Sequence, residues 1–140
     1  MENLIHVLRN KGFKITPQRR AVIAALFECG KFPTAQRILD QVRKTTPDVS
    51  FDTIYRNLSL LTDLGVLHEI NTKGRDGNVF EIVADNHHHH LICISCGATQ
   101  CLDFCPISSF DLSKAEEKGF QVTSHALEFY GYCRECRSAS

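Results

Sequence analysis

Two cysteine pairs, Cys93-Ile94-Ser95-Cys96 and Cys133-Arg134-Glu135-Cys136, carry the chemistry of this 140-residue chain most openly. A Cys-x-x-Cys turn holds two thiolates on one side of a tight loop, so two such hooks brought together supply a closed tetrahedral S₄ site for structural Zn²⁺. The stretch between the hooks is longer than a compact zinc ribbon needs. It must therefore form structure of its own, whose far end the metal clamps back onto its start.

Just before the first hook runs His87-His88-His89-His90. On an extended strand, alternation puts His88 and His90 on one face and His87 and His89 on the other, which makes two distinct metal half-sites. A hairpin turning at Ser95-Cys96-Gly97 brings Cys101 opposite His90 and Asp103 opposite His88 in the simplest register. Glu81, just upstream, is the natural carboxylate to complete a regulatory set of Glu81, His88, His90 and Cys101. Mixed nitrogen, oxygen and thiolate donors suit Zn²⁺ better than Fe²⁺, because thiolate is soft and zinc accepts four tetrahedral ligands readily. His125 alternates with Leu127 and Phe129; it either joins His87 and His89 in a second regulatory site or is a core histidine. His6 and His68 have no neighbour in sequence to recruit them and read as surface residues. Cys29 reads as a small apolar filler, and Cys105-Pro106 as a weak haem-binding dipeptide.

These side chains need a scaffold, and the periodicity supplies one. Thr16-Pro17 reads as an N-cap with proline at the first helical position, followed by Val22, Ile23, Leu26 and Phe27 at helical spacing before Gly30. A short helix precedes it at Leu4, Val7 and Leu8, and another begins near Pro33-Thr34 with Ile38, Leu39 and Val42 inward. Ser50 caps a helix with the stripe Ile54, Leu58, Leu61 and Leu64, ended by Gly65. From Val66 the pattern turns extended, 66–70 and 79–83, joined by a basic tip. Helices followed by such a hairpin make a winged helix-turn-helix. The second half reads strand, Cys-x-x-Cys turn, strand, helix over 112–118, then a long strand from Phe120 to Tyr132. The expected class is α+β: a winged helix-turn-helix domain over 1–84, then a small α/β dimerisation domain over 85–140.

On the helix after Ser50, Tyr55, Arg56 and Ser59 fall on the outer side near the N-terminal end, the part that enters a major groove. Thr53, Tyr55, Arg56 and Ser59, with Lys73 and Arg75 at the wing tip, are the candidate DNA contacts. Charge agrees: residues 1–84 carry 12 Lys/Arg against 9 Asp/Glu, and residues 85–140 carry 4 against 7. A hydrophobic content of 43% allows one ordinary core or two small ones, the second needing a staple. No apolar leader or membrane span is read, so a cytoplasmic protein is expected. In a reducing compartment, seven clustered cysteines favour metal over disulfides.

The residues also match a known pattern: Gly12-Phe13-Lys14-Ile15-Thr16-Pro17-Gln18-Arg19, Pro33-Thr34-Ala35, Thr53-Ile54-Tyr55-Arg56-Asn57-Leu58, the His run leading into Cys93-Ile94-Ser95-Cys96-Gly97, Gly119-Phe120, His125 and Gly131-Tyr132-Cys133-Arg134-Glu135-Cys136. From about residue 4 to 137 the chain resembles the ferric-uptake-regulator family. The resemblance implies a homodimeric bacterial repressor whose regulatory metal closes the dimer onto a palindromic double-stranded DNA operator. In its terms Glu81, His88 and His90 match the hinge sensing site, and Cys93, Cys96, Cys133 and Cys136 match the structural zinc. The histidine that usually precedes Pro-Thr-Ala is Phe32 here. Cys101 stands where an acidic residue is usual, unless a two-residue insertion makes Asp103 the equivalent. In the second cluster His87 and His125 match, His89 replaces a common aspartate, and Ser108 occupies a usual glutamate position. Peroxide sensors of the family favour aspartate where Glu81 stands and use the missing histidine.

The expectation is a metal-dependent repressor without enzymatic activity, membrane partner or small-molecule substrate. Zinc is the first choice of signal and iron the second. Other readings are a redox switch through Cys101 and Cys105, and a zinc hydrolase using the His run with Glu81 as base, for which no His-Glu-x-x-His helix is present.

Overall fold

The structure, a computed structural model, describes residues 1–72, 77–83, 89–102, 104–107, 109–123 and 125–138. The chain divides into two compact units, Met1–Val83 and Ala84–Ser140.

The first unit runs α1 (Glu2–Asn10), α2 (Pro17–Glu28), α3 (Ala35–Val42), α4 (Phe51–Asp63), β1 (Leu67–Ile70) and β2 (Val79–Ile82). Three helices start at hydroxyl caps. Thr16, Thr34 and Ser50 each accept a hydrogen bond from the backbone N–H three residues on, at 3.1, 3.2 and 3.2 Å. Each satisfies a donor that the first helical turn leaves open. Ile5, Leu8, Val22, Ile23, Leu26, Ile38, Leu39, Val42, Ile54, Leu58 and Leu61 then meet in one core with Phe80 of β2.

Two stripe assignments shift. Ile5 rather than Val7 is the buried partner of Leu8 in α1, and Phe27 is exposed while Ala25 turns inward. Cys29 is buried, as a small apolar filler would be.

β1 and β2 pair antiparallel from Leu67↔Ile82 to Ile70↔Val79. At the base of this hairpin the buried Thr72 donates its hydroxyl to the Gly77 carbonyl at 2.8 Å. The chain before α3 lies along the other edge of β2: Phe80 N–H donates to the Pro33 carbonyl at 2.9 Å, and Thr34 bridges Val79. The hairpin is thereby stitched to the helices, as a wing is. Its tip residues Lys73 and Arg75 lie outside the described residues.

The second unit contains β3 (His89–Cys93), β4 (Thr99–Leu102), α5 (Ser109–Glu117), β5 (Glu128–Gly131) and α6 (Arg134–Ser138). β3 is central in the order β4-β3-β5, antiparallel to β4 and parallel to β5. The long strand expected from Phe120 to Tyr132 is reduced to its last third. Its pairing with β3 begins only at His90↔Glu128, and none of the described residues between Phe120 and Leu127 has a strand partner to stay extended against. α6 was not foreseen; its first turn closes with Arg137 N–H donating to the Cys133 carbonyl at 2.9 Å. Among the described residues, no helix is long and apolar enough to cross a membrane.

Ser50→Ala removes the α4 cap and is expected to lower stability by about 1 kcal/mol. Ile54→Ala, a cavity in the core of the first unit, should cost about 2–5 kcal/mol. Denaturant titration of both variants, with the slope unchanged, checks the ordering.

Candidate metal centres

The two hooks meet. One sulfur from each of Cys93, Cys96, Cys133 and Cys136 lies within 4.8 Å of every other, and Cys96 Sγ stands 3.8 Å from Cys133 Sγ. Four sulfurs at zinc–thiolate bond lengths of about 2.3 Å have tetrahedral edges of about 3.8 Å. The turn that shapes the first hook is fixed by Gly97 N–H donating to the Cys93 carbonyl and Cys93 N–H donating to Ala98, both at 2.9 Å. Ile94 N–H donates to the Gly131 carbonyl at 2.9 Å, which ties that turn to the end of β5, two residues before the second hook.

The thiols feel one another strongly. The backbone amide of Cys96, helped by that of Cys133, draws the Cys93 thiol down from 9.0 to about 6. Cys136 takes a hydrogen bond from Ser95 that favours its thiolate, yet Cys133, Cys93 and Cys96 outweigh it and push the thiol up to about 12. Close sulfurs that compete to ionise share their charge in successive steps. A divalent cation among them would turn that repulsion into attraction, so the donor set fits structural zinc and no oxygen-seeking ion.

β3 shows two faces. His90 is buried and pairs directly with Cys101 across β4, the register expected from a turn at Ser95-Cys96-Gly97. Paired residues project from the same face, so imidazole and thiol lie on one side of the sheet. Cys101 belongs to none of the close donor clusters among the described residues. His87, His88 and Asp103 lie outside the described residues.

In the first unit, His68 corrects the expectation of an uninvolved surface histidine. It is half-buried on β1 directly across from Glu81 on β2, and a ring nitrogen lies within 4.8 Å of a Glu81 carboxylate oxygen. Twelve residues of intervening chain hid this neighbour from a reading along the sequence; the hairpin register reveals it. His6 is exposed, as expected.

The opposite face of β3 brings together His89 and His125, two of the three residues expected in a second regulatory site, with a third donor that was not expected there. His89 and His125 stack with ring centroids 5.2 Å apart, and Cys105 joins them. His125 is therefore drawn to the His89 face. Along the sequence Cys105 reads only as a weak haem dipeptide with Pro106 or as a redox partner of Cys101, because nothing there places it beside a histidine.

On α4, Tyr55, Arg56 and Ser59 are exposed together, and the Tyr55 ring packs against Phe51 with centroids 4.8 Å apart. Thr53 is half-buried, its hydroxyl 3.0 Å from that of Ser50, so it belongs to the cap as much as to the outer face. Arg19, present in the family-like motif but given no role there, donates to Asn57 Oδ1 at 3.1 Å and to the Lys14 carbonyl at 2.6 Å. It locks the start of α2 to the helix that carries Tyr55 and Arg56.

A winged helix followed by a small sheet unit whose thiols and imidazoles gather into donor clusters defines a metal-binding, DNA-binding regulator. Comparison with known proteins narrows the class. The profile described as "Ferric uptake regulator family" matches residues 10–130. The ferric uptake regulation protein of Staphylococcus epidermidis is 39% identical over 134 residues, covering 95% of this chain and 93% of its own length. The peroxide-responsive repressor PerR of Staphylococcus aureus is 34% identical over 137 residues, covering 98% and 91%. Among solved structures, the ferric uptake regulator of Helicobacter pylori, described as having three functional metal-binding sites, superposes with a TM-score of 0.78 at 25% identity, covering 97% of this chain and 90% of that one.

The chain belongs to the ferric uptake regulator family. Its members are transcriptional regulators and not enzymes, so the hydrolase reading falls.

Cys133→Ser opens the four-sulfur cluster. Loss of the bound metal is expected to melt the second unit while the helices of the first stay folded. Hydrogen exchange by mass spectrometry separates the two. Amides of β3 and β5 that remain protected in a metal-free variant would contradict a zinc-dependent unit.

Proposed function

We propose that this chain is a homodimeric repressor that binds a palindromic operator when zinc is available. Cys93, Cys96, Cys133 and Cys136 hold a structural Zn²⁺, and Glu81, His88, His90 and Cys101 are the regulatory ligands. The metal-responsive repressor is what family membership supports. The preference for zinc rests on one observation, the pairing of His90 with Cys101 on one face of the β3–β4 hairpin. A thiol there adds a soft donor to an imidazole, and soft donors favour zinc over Fe²⁺.

The other parts of the proposal have their own supports. DNA recognition draws on Tyr55, Arg56 and Ser59, exposed near the start of α4, with Lys73 and Arg75 assigned to the wing tip from sequence. Dimerisation draws on β5, an edge strand whose Phe129 and Tyr130 are exposed, followed by an exposed Tyr132. An open edge with aromatic side chains is a surface that soluble proteins normally cover. The protein acts in the cytoplasm, where DNA and free metal are both present. Metal that binds the DNA-competent arrangement better than others raises DNA affinity by the same factor as DNA raises metal affinity.

Iron is the second reading, favoured by the 39% identity to a ferric uptake regulation protein; in it Asp103 replaces Cys101 as ligand. A peroxide sensor draws support from the PerR relative. Against it stand Glu81 and Phe32, at positions where the resemblance leads one to expect aspartate and histidine.

The test is operator binding by the structural-zinc-retaining protein, titrated with buffered Zn²⁺ and, without oxygen, Fe²⁺. Zinc is expected to act at lower free concentration, and Cys101→Ser to raise the zinc required by more than about tenfold. His90→Ala should abolish the metal response with the fold intact by circular dichroism. A Cys101→Ser protein that answers Fe²⁺ normally and zinc no worse than before transfers the assignment to iron.

A further inference from the structure

We infer that Phe51 is a specificity-determining residue of this regulator: braced by Tyr55 at the leading end of α4, its ring receives the 5-methyl group of a thymine in the major groove. The inference rests on the reading of α4 as the helix that enters DNA, and adds to that reading a residue and the base it selects.

Phe51 and Tyr55 stand four positions apart, one turn from each other on the same face of the helix. Their rings meet with centroids 4.8 Å apart at an interplanar angle of 58°, a tilted contact in the range that aromatic pairs favour. Each residue is nevertheless 40% exposed. Leaving that much ring in water at the first turns of a helix gains the isolated protein nothing.

The structural tasks of this helix end are already filled. Val49 and Ile54 occupy the positions whose apolar side chains staple a helix start, and both are buried in the core. The Ser50 hydroxyl accepts from the Thr53 amide and lies 3.0 Å from the Thr53 hydroxyl, so these two polar side chains are engaged in the cap. Phe51, Asp52, Tyr55 and Arg56 are left as the exposed surface of this end.

The charge of its first turn argues against a phosphate. Residues 51–55 carry one carboxylate, Asp52, and no Lys or Arg, whereas a turn laid against the DNA backbone would carry the opposite sign. A base edge is the partner that fits. Of the four ordinary bases, thymine alone offers a hydrocarbon group in the major groove, and an apolar side chain is its complement. Because the Phe51 ring already leans on Tyr55, little side-chain freedom is left to lose when a methyl seats against it.

The test uses the full-length protein, saturated with its activating ion, and a palindromic duplex that the protein itself selects from random sequences. Each thymine is replaced in turn, in both half-sites, by deoxyuridine, which removes only the methyl. At one position the wild-type protein is expected to lose about fourfold in affinity per half-site. Phe51→Ala should bind the thymine and uracil duplexes equally at that position and keep the wild-type penalty at the others, while Phe51→Leu should restore part of the discrimination. Such a ratio does not depend on the fraction of protein that is folded. A purely structural role for Phe51 would lower both affinities and leave every ratio unchanged, and that result overturns the proposal. Discrimination that survives Phe51→Ala and disappears in Tyr55→Ala assigns the methyl to Tyr55 and overturns it as well. Arg56→Ala keeps the two readings apart: undiminished binding of the selected duplex would remove α4 from the groove and end both. Binding lost in Arg56→Ala, with unchanged ratios in Phe51→Ala, ends the assignment of Phe51 alone.

Discussion

The second unit hangs on a strand of five residues used on both faces. β3 is flanked on both edges, and its pattern buries His89, His90, Ile92 and Cys93 while only Leu91 stays exposed. Adjacent histidines therefore leave in opposite directions, one toward Cys105 and His125, the other toward Cys101. A slip of one residue would exchange the two donor sets and carry Cys93 out of the four-sulfur cluster. Register is consequently held at the hook end of the strand, by the Cys93, Ile94 and Gly97 amides.

That strand carries unusual weight because hydrocarbon is scarce around it. The apolar core of the first unit draws on four helices and the wing, whereas Ile92 and Cys93 are the only fully buried apolar residues described in the second. Apolar burial of that size falls well short of what ordering a unit of this length costs. Donor atoms gathered into close clusters would let a bound cation supply what the core does not. In the proposed zinc-bound form, stability and metal occupancy would be coupled in such a unit.

Much of this was legible in the sequence because the signals were local. Thr16, Thr34 and Ser50 act through the next three residues, the Ile54/Leu58/Leu61 stripe repeats within one helix, and each Cys-x-x-Cys hook is its own turn. The Cys101–His90 pairing was readable because a tight turn fixes hairpin register. What escaped depends on contacts between distant segments. His68 needed the pairing of β1 with β2, Cys105 needed the crossover that returns His125 to β3, and Arg19 needed α2 packed against α4. The strand expected from Phe120 was overlong because alternation in sequence marks a strand's faces but not the extent of its partner.

The parallel pairing of β5 with β3 also orders events during synthesis. All strands and helices of the first unit lie together in the first 83 residues, so even its longer-range partners, Arg19 with Asn57 and Phe80 with Pro33, are translated before β3. Such a unit can fold while the rest is still being translated. The sheet behind it has no such freedom, because its middle strand is made early and waits for β5 and for Cys133 and Cys136 to emerge from the ribosome. Each new molecule thus completes its helices and hairpin before the four sulfurs of the second unit can meet.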